Sequence, residues 1–380
     1  MLAFASLRVW ARWVVAAGAV LAISAVQAQD IVVGQIGPFT VLPAPDAHQI
    51  NKGAKAYFAQ VNARGGVNGR RIAFFEVDDK YSPDEFVRQL ELAMQRKPVA
   101  LLSPVGSATM QKVLQDKLLD KHDVLILNAV PGAEVLREPG HARLFHVRAG
   151  DRQQLEKIVQ HARTLGVSRL HVLHQNIPIG TSGLEMVQSA AQDAPAMEVA
   201  ATESGPEEAA IAAAAKAVAA GNSQSVVTIG SPKFMADAIA QLRRANVTQQ
   251  IFALSYVPPG LIARLAGEEA ARGVGIAQTY PNPMGGTLPL QREFAAAMKA
   301  LDPSLTQFSG FHLEGYIVAR VLVEGLRRSG SDIRPETLAR GLRAAGEMDF
   351  GGYRVNFSKE NTGSGFVDIG VVTSGGRLRY

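Results

Sequence analysis

The stretch that decides the fold covers residues 51–79 and reads NKGAKAYFAQVNARGGVNGRRIAFFEVDD. Apolar side chains at residues 50–61 recur at helical spacing and predict a helix with one buried face. Gly65 and Gly66 end this helix, because glycine adopts the left-handed capping conformation without a Cβ penalty. Residues 72–77 then form an almost wholly apolar run, which is typical of a strand covered on both faces. The stretch therefore predicts a helix, a tight turn and a buried strand in succession.

Short apolar runs of the same kind recur along the rest of the chain. We predict strands near residues 31–36, 71–77, 99–103, 123–129, 144–149, 169–174, 225–230, 250–255 and 273–279. Helical patterns separate most of these runs, and such alternation indicates an α/β fold with parallel sheets. The length of 380 residues exceeds what one hydrophobic core usually supports. No proline-rich or Gly/Ser-rich linker divides the chain, so we expect two lobes joined by several short crossings.

The N-terminus predicts export from the cytoplasm. Arg8 and Arg12 precede an apolar stretch at residues 13–23, and small residues at 26–28 provide a signal-peptidase site. We therefore expect residues 1–28 to be a cleavable signal peptide. The chain contains no cysteine, which excludes a lipoprotein anchor, disulfides and thiol chemistry. The basic residues are scattered, so no nucleic-acid partner is expected.

Sequence signatures of enzymes are missing. The motifs of zinc proteases, serine hydrolases and P-loop proteins do not occur, so neither catalysis nor a cofactor is expected. His171 and His174 are three apart in a predicted strand, so they point to opposite faces and do not form a metal pair. Asp78 and Asp79 end a predicted strand, where a turn or capping role is the alternative to acid/base chemistry. No metal site is predicted.

The strongest site candidate is the run LSPVGSAT at residues 102–109, where a strand end leads into a helix start. Small residues allow the backbone to approach a ligand, and free amides at a helix N-terminus attract an anion. Ser107, Ala108 and Thr109 are the residues expected to make this contact. The alternative is that Ser107 merely caps the helix.

The GGVNGR turn after an aromatic-bearing helix, with IVVGQIGPF at residues 31–39 and Asp78-Asp79 after the strand, resembles the type I periplasmic binding proteins of the branched-chain amino acid group. That resemblance implies a periplasmic, non-enzymatic component of an ABC importer, with a small-molecule ligand and a permease in the inner membrane as partners. A ligand sensor of the same fold, acting on a receptor or regulator, is the alternative.

The resemblance also implies how the lobes divide the chain. The crossings would lie near 147–150, 274–278 and 350–355. One lobe would combine residues 29–147 with 277–350, and the other 150–273 with 354–380. The ligand cleft would lie between these two Rossmann-like lobes, beyond the carboxyl ends of the strands.

Residue by residue, the resemblance implies that Ser107 and the segment after the next strand hold a ligand carboxylate. That segment, Asn128-Ala129-Val130, departs from the usual small-then-threonine pattern, which implies the loss of one hydroxyl ligand. This chain has Ile179 at a position where the family commonly has a tyrosine. Ser255-Tyr256 stands where amino acid binders often place an acid, and a buried ammonium without a counter-charge is costly. We therefore expect a small carboxylate with an apolar or aromatic body, unless an acid is supplied elsewhere.

Further wall candidates follow other predicted strands. They are Phe39, Thr40, Tyr81, Ser231 and Tyr280. Tyrosine supplies apolar area and one hydroxyl, which suits a ligand of mixed polarity. The alternative for each tyrosine is packing against its own lobe.

Overall fold

The computed structural model of the protein describes residues 29–41 and 45–380, so the predicted signal peptide lies outside the described residues. The strands are β1 Ile31–Gly37, β2 Ile72–Asp78, β3 Ala100–Leu102, β4 Leu125–Leu127, β5 Leu144–Phe145, β6 Arg169–Gln175, β7 Glu198–Ser204, β8 Ser225–Ile229, β9 Gln250–Ala253, β10 Gly275–Gln278, β11 Glu347–Asp349, β12 Arg354–Asn356, β13 Asp368–Val372 and β14 Leu378–Arg379. The helices are α1 Pro45–Ala63, α2 Pro83–Met94, α3 Ser107–Gln115, α4 Leu118–Lys121, α5 Asp151–Thr164, α6 Pro178–Ala191, α7 Glu208–Ala220, α8 Pro232–Arg244, α9 Pro259–Ala266, α10 Glu268–Ala271, α11 Pro289–Leu301, α12 Gly310–Arg328 and α13 Pro335–Ala344.

The α/β class and the parallel sheets are confirmed. Five parallel strands form one sheet in the order β2-β1-β3-β4-β5. The second sheet has the order β14-β13-β10-β9-β8-β6-β7. Strands β6 to β10 run parallel in it, and β13 and β14 add antiparallel partners at one side. Among the described residues, no helix is long and apolar enough to cross a membrane.

The opening stretch folds as its pattern predicts. Helix α1 ends at Ala63, and the Gly66 amide donates to the carbonyl oxygen of Val61 at 2.9 Å. Gly65 and Gly66 have φ values of 93° and 76°, in the region that disfavours side chains. Strand β2 then pairs with β1 in parallel register, with Ile72 beside Ile31.

The buried apolar residues separate into two lobes. The first, the N lobe, contains the five-stranded sheet, which packs on one face against α1, α11 and α12 and on the other against α2 and α3. The second, the C lobe, contains the strands of the larger sheet and helices α5 to α8. The chain passes between them at residues 148–154, again between Ala277 and Tyr280, and finally between Phe366 and Val367, which pack against different cores.

The third crossing therefore differs from the expected position near 350–355. Strands β11 and β12 form a hairpin whose Val355 is buried in the N-lobe core, as is Phe357 just after it. Residues 354–366 thus lie with the N lobe rather than the C lobe. The segments that lead into the first and third crossings lie side by side, because the His146 amide donates to the Asn361 carbonyl oxygen and the His146 carbonyl oxygen accepts from the Gly363 amide, both at 2.7 Å.

Helices α1 and α12 approach unusually closely because glycines lie at their contact. A Cβ built on Gly53 would lie 1.9 Å from the carbonyl oxygen of His312, and one on Gly315 would lie 1.9 Å from that of Ile50. Real Cβ atoms do not occupy such positions, so both glycines are needed for this packing. The contact fixes the first part of α12 against α1.

Replacing His146 by glutamine should change how stability depends on pH. Burial and the neighbouring Arg137 charge lower the pKa of His146 to about 3, whereas an unfolded histidine titrates near about 6.5. Between these values the unfolded state binds more protons, so this residue reduces stability as the pH falls through that range. The wild-type advantage in unfolding free energy over His146→Gln should therefore shrink by about 3 kcal/mol between pH 7 and pH 4.

Chemical denaturation at the two pH values measures that difference. Glutamine can still donate to the Leu136 carbonyl oxygen that His146 Nε2 contacts at 3.1 Å. His122→Gln, at a partly exposed position, is the matched control and should show a smaller change. A gap between wild type and His146→Gln that stays constant with pH would contradict the expectation.

Candidate functional site

The candidate residues lie at the carboxyl ends of parallel strands in both lobes, where open α/β sheets place ligands. In the N lobe, Thr40, Tyr81 and Ser107 follow β1, β2 and β3. In the C lobe, Ser231 follows β8 and Ser255 follows β9. At the first crossing, Arg148 contacts Ser255 of the C-lobe set.

The start of α3 leaves its donors available. Gly106, with φ 108°, is the N-cap residue, and Ser107 is the first residue of the helix without a side-chain capping bond. Ser107 is therefore not the cap that the alternative interpretation required. It is partly exposed and Ala108 is exposed, whereas Thr109 is buried. The amides of this first turn have no partner within the helix, which makes it a suitable contact for an anion.

The two adjacent carboxylates Asp78 and Asp79 hold the loops that follow β1 and β2. Asp78 Oδ1 accepts from the Phe39 amide at 2.8 Å, and its Oδ2 accepts from the Thr40 hydroxyl at 2.5 Å. Asp79 Oδ1 accepts from the Tyr81 amide at 2.8 Å, and burial raises the pKa of Asp79 to about 6. These contacts give both residues the turn-forming role and fix the loops that carry Phe39, Thr40 and Tyr81.

Tyr81 lies next to the start of α3. It adopts a left-handed conformation with φ 57°, and 41% of the residue is exposed. A Cβ built on Gly106 would lie 3.3 Å from Cε2 of the Tyr81 ring. The Tyr81 ring and the Ser107 segment are thus neighbours in the N lobe.

A small apolar cluster lies behind this surface. Its members are Ala47, Ile50, Val105, Val130 and Phe311, with Phe39 packed against them. Two sequence candidates, Phe39 and Val130, therefore belong to one cluster, and the fully buried Ala129 precedes Val130. The Val130 amide donates to the Pro104 carbonyl oxygen at 3.0 Å, which joins the loops after β3 and β4.

Asn128 and Tyr280 face the protein interior instead. Asn128 is fully buried, and its Nδ2 donates to Glu314 Oε1 at 2.7 Å while its Oδ1 accepts from the Arg148 amide at 3.2 Å. The ring of Tyr280 packs 5.0 Å from that of Tyr353 in the N-lobe core. Both side chains support the crossings between the lobes.

The C-lobe candidates have mixed roles. Ser231 is the N-cap of α8, where its hydroxyl accepts from the Phe234 amide at 3.2 Å. Ile179, in the first turn of α6, is partly buried against the C-lobe core. Ser255 Oγ accepts from Arg148 Nη2 at 2.5 Å, and the Tyr256 hydroxyl donates to Asp151 Oδ1 at 2.5 Å.

The sequence analysis did not predict the buried charges that lie beside the loop carrying Ser255 and Tyr256. Arg148 and Glu314 form an ion pair at 3.3 Å whose side chains are 1% and 2% exposed. Burial is the largest single influence and acts against the charge on Arg148, but Glu314 together with Tyr256, Tyr280 and Asp151 raises the pKa of Arg148, so the guanidinium stays charged. The sequence does contain a signal for this buried pair, because Arg148 and Glu314 are each a lone charge within an apolar segment.

The described parts of both lobes contain no cluster of three His, Asp or Glu residues arranged to hold a metal ion. What the residues provide is a set of hydroxyl and amide donors, aromatic and apolar walls, and loops from two lobes. This combination is suited to holding a small molecule of mixed polarity.

Residues 30–376 match the periplasmic binding protein family. An extracellular ligand-binding receptor from Verminephrobacter eiseniae is 48% identical, with a TM-score of 0.88 over 92% of this chain and 100% of that chain. A branched-chain amino acid transporter substrate-binding protein from Streptococcus pneumoniae, in complex with isoleucine, shares the fold at 14% identity, with a TM-score of 0.79 over 92% of this chain and 98% of that one. An amino acid binding protein of Pseudomonas aeruginosa is 26% identical over 140 residues, and the match spans 37% of the length of each protein.

Proposed function

The chain belongs to the periplasmic binding protein family, and on that premise we propose that it is the substrate-binding component of an ABC importer in the periplasm. Its ligand is a small carboxylate with an apolar or aromatic body, and binding closes the two lobes. The permease in the inner membrane is the partner that receives it. The observation that carries this proposal is the start of α3, where Ser107 makes no capping bond and lies beside Tyr81.

The N-lobe side suits a carboxylate. First-turn amides and the Ser107 hydroxyl can donate to an anion, and the helix dipole adds to the attraction. Tyr81 offers an aromatic face next to this turn. Phe39, with the apolar cluster behind it, offers apolar area for the rest of the ligand.

The C-lobe side does not suit an ammonium group. Ser255 and Tyr256 stand where a carboxylate would be needed, and the charged Arg148 lies 5.2 Å from the Tyr256 ring centroid. Two buried acids accompany them, but Glu314 is paired with Arg148 and Asp151 accepts from Tyr256. Burial raises the pKa of Asp151, which makes it a weaker counter-charge for a cation.

The ligand class can be tested by calorimetry with matched pairs. Leucine is compared with 4-methyl-2-oxopentanoate and 4-methylpentanoate, and phenylalanine with phenylpyruvate. We expect each acid to bind at least tenfold more tightly than its amino acid, a difference of about 1.4 kcal/mol. Tight leucine binding without binding of the acids would show that the protein supplies an ammonium partner and would overturn the carboxylate assignment.

Lobe closure is tested by small-angle X-ray scattering with a ligand that calorimetry has verified. Rotation of one lobe toward the other about the crossings should reduce the radius of gyration. An unchanged radius with bound ligand would replace closure by a preformed pocket.

Ser107→Ala should weaken carboxylate binding by roughly 10- to 100-fold, because a hydrogen bond to a charged group is worth about 1.5 to 3 kcal/mol. The melting temperature should change little, since Ser107 makes no capping bond. Ser329→Ala, which removes a hydroxyl bonded to the Gly325 carbonyl oxygen in α12, is the control that should retain affinity. Unchanged affinity in Ser107→Ala would place the carboxylate elsewhere.

A further inference from the structure

Arg148 lies at the first crossing and touches both lobes. Its Nη1 is 3.3 Å from each carboxylate oxygen of Glu314 on α12 in the N lobe. Its Nη2 donates to Ser255 Oγ at 2.5 Å in the C lobe. The same guanidinium lies over the Tyr256 ring at 5.2 Å. One buried side chain thus joins a helix of the N lobe to the loop after β9.

The N lobe fixes the position of this guanidinium. The backbone amide of Arg148 donates to Asn128 Oδ1 at 3.2 Å. Asn128 Nδ2 in turn donates to Glu314 Oε1 at 2.7 Å, so the same amide side chain holds the arginine backbone and its counter-ion. Glu314 belongs to α12, whose start is fixed against α1 by Gly315. The Arg148 side chain is therefore fixed to the N lobe and moves with it.

The C lobe fixes the loop that Arg148 contacts. The Ser255 amide donates to Gln154 Oε1 at 3.0 Å, and the Tyr256 hydroxyl donates to Asp151 Oδ1 at 2.5 Å. Asp151 and Gln154 lie in the first turn of α5, the first helix of the C lobe. The loop therefore moves with α5, and the guanidinium contacts it from the N-lobe side.

We propose that Arg148 is a positioning residue that couples the C-lobe half of the ligand site to the N lobe and sets the equilibrium between lobe arrangements. The inference rests on the ligand-driven closure proposed above. Rotation about the crossings changes the Arg148–Ser255 contact while the Arg148–Glu314 pair stays within the N lobe. A charge-assisted hydrogen bond that differs between two arrangements shifts their populations, whereas an equal contact in both does not.

The absence of cysteine from the sequence allows a direct measurement. Glu91→Cys on α2 and Lys216→Cys on α7 place one spin label on an exposed helix face of each lobe. Distance distributions are then recorded by pulsed electron resonance without ligand, and with 4-methyl-2-oxopentanoate as the probe. In the Ser255→Ala background we expect the ligand-free distribution to shift or broaden. We also expect the probe to bind roughly fivefold more weakly.

Two backgrounds make the result specific. Ser255→Thr keeps a hydroxyl and should restore the wild-type distribution, and Ser329→Ala is the matched loss of one serine hydroxyl bond within the N lobe. The ligand-free readout matters because Ser255 also faces the proposed site, so weaker binding alone would not distinguish coupling from a lost ligand contact. A wild-type distribution in Ser255→Ala, even with a lower melting temperature, would overturn the proposal.

The same experiment separates this inference from the proposed function. If the probe binds wild type but does not change the distance, ligand-driven closure fails. If wild type closes and Ser255→Ala behaves identically to it, only the coupling through Arg148 fails. If the probe does not bind wild type, the carboxylate class is wrong for this skeleton, while the ligand-free distributions still decide the role of Arg148.

Discussion

Replacing Gly315 by alanine should destabilise the protein by at least about 2 kcal/mol. Helix propensity alone predicts the opposite sign, because glycine within a helix costs about 1 kcal/mol relative to alanine. The new Cβ, however, would lie 1.9 Å from the Ile50 carbonyl oxygen, and this neighbour is backbone in α1 rather than a flexible side chain. The helices must separate, and overpacking of this kind typically costs about 1 to 3 kcal/mol or more.

Chemical denaturation measures the loss, and Gly260→Ala is the matched control. Gly260 is exposed in α9, and a Cβ built on it meets no atom within 4 Å, so this substitution should be neutral or stabilising. Ligand affinity should also fall in Gly315→Ala, because the neighbouring Glu314 holds Arg148. Equal stability of the two variants would contradict the expectation, because it would show that α1 and α12 can separate without lowering the free energy of unfolding.

The sequence predicted the elements that carry strong apolar patterns. The stretch at residues 51–79 forms α1 and β2, as its apolar spacing predicts. Such elements are predictable because burial on one or two faces imposes a period on the sequence itself.

Elements with weak apolar patterns were missed. Strand β7 reads EVAATES and is largely exposed at the edge of the larger sheet, so it carries no continuous apolar run. The β11–β12 hairpin and strands β13 and β14 are only two to five residues long, too short to carry a clear apolar period, and β13 also depends on pairing with the distant β10. Local sequence does not contain that information, and for the same reason the third crossing was expected too early.

The candidate site shows the same division. Ser107 was singled out because small residues at a strand-to-helix junction have a local signature; in the structure it begins α3 and makes no capping bond, and its contact with a ligand stays a prediction. Asn128 was assigned to the ligand from its position after β4, but its contacts with Glu314 and Arg148 arise between residues far apart in the chain. Pairing of distant charges depends on tertiary packing, which no local pattern specifies.

Replacing Glu314 by glutamine should destabilise the protein by about 3 to 5 kcal/mol. The substitution preserves shape but leaves the guanidinium of Arg148 buried without a counter-charge, and a buried charge that loses its partner is among the most costly changes in a protein. Two further variants are compared with Glu314→Gln. Glu76→Gln breaks the exposed ion pair with Lys55 and should cost less than about 1 kcal/mol. The double variant Arg148→Met with Glu314→Leu removes both charges and should recover much of the loss, since apolar replacement of a buried pair is often neutral.

These three variants distinguish a charge effect from a packing effect. A charge effect predicts that the double variant is more stable than Glu314→Gln, although it changes more atoms. It also predicts that the double variant folds but loses the contact with Ser255, so ligand affinity should stay low while stability returns. If the double variant were instead the least stable of the three, the polar network of Asn128, Arg148 and Glu314 would be required for folding itself, and its charges could not be separated from its shape.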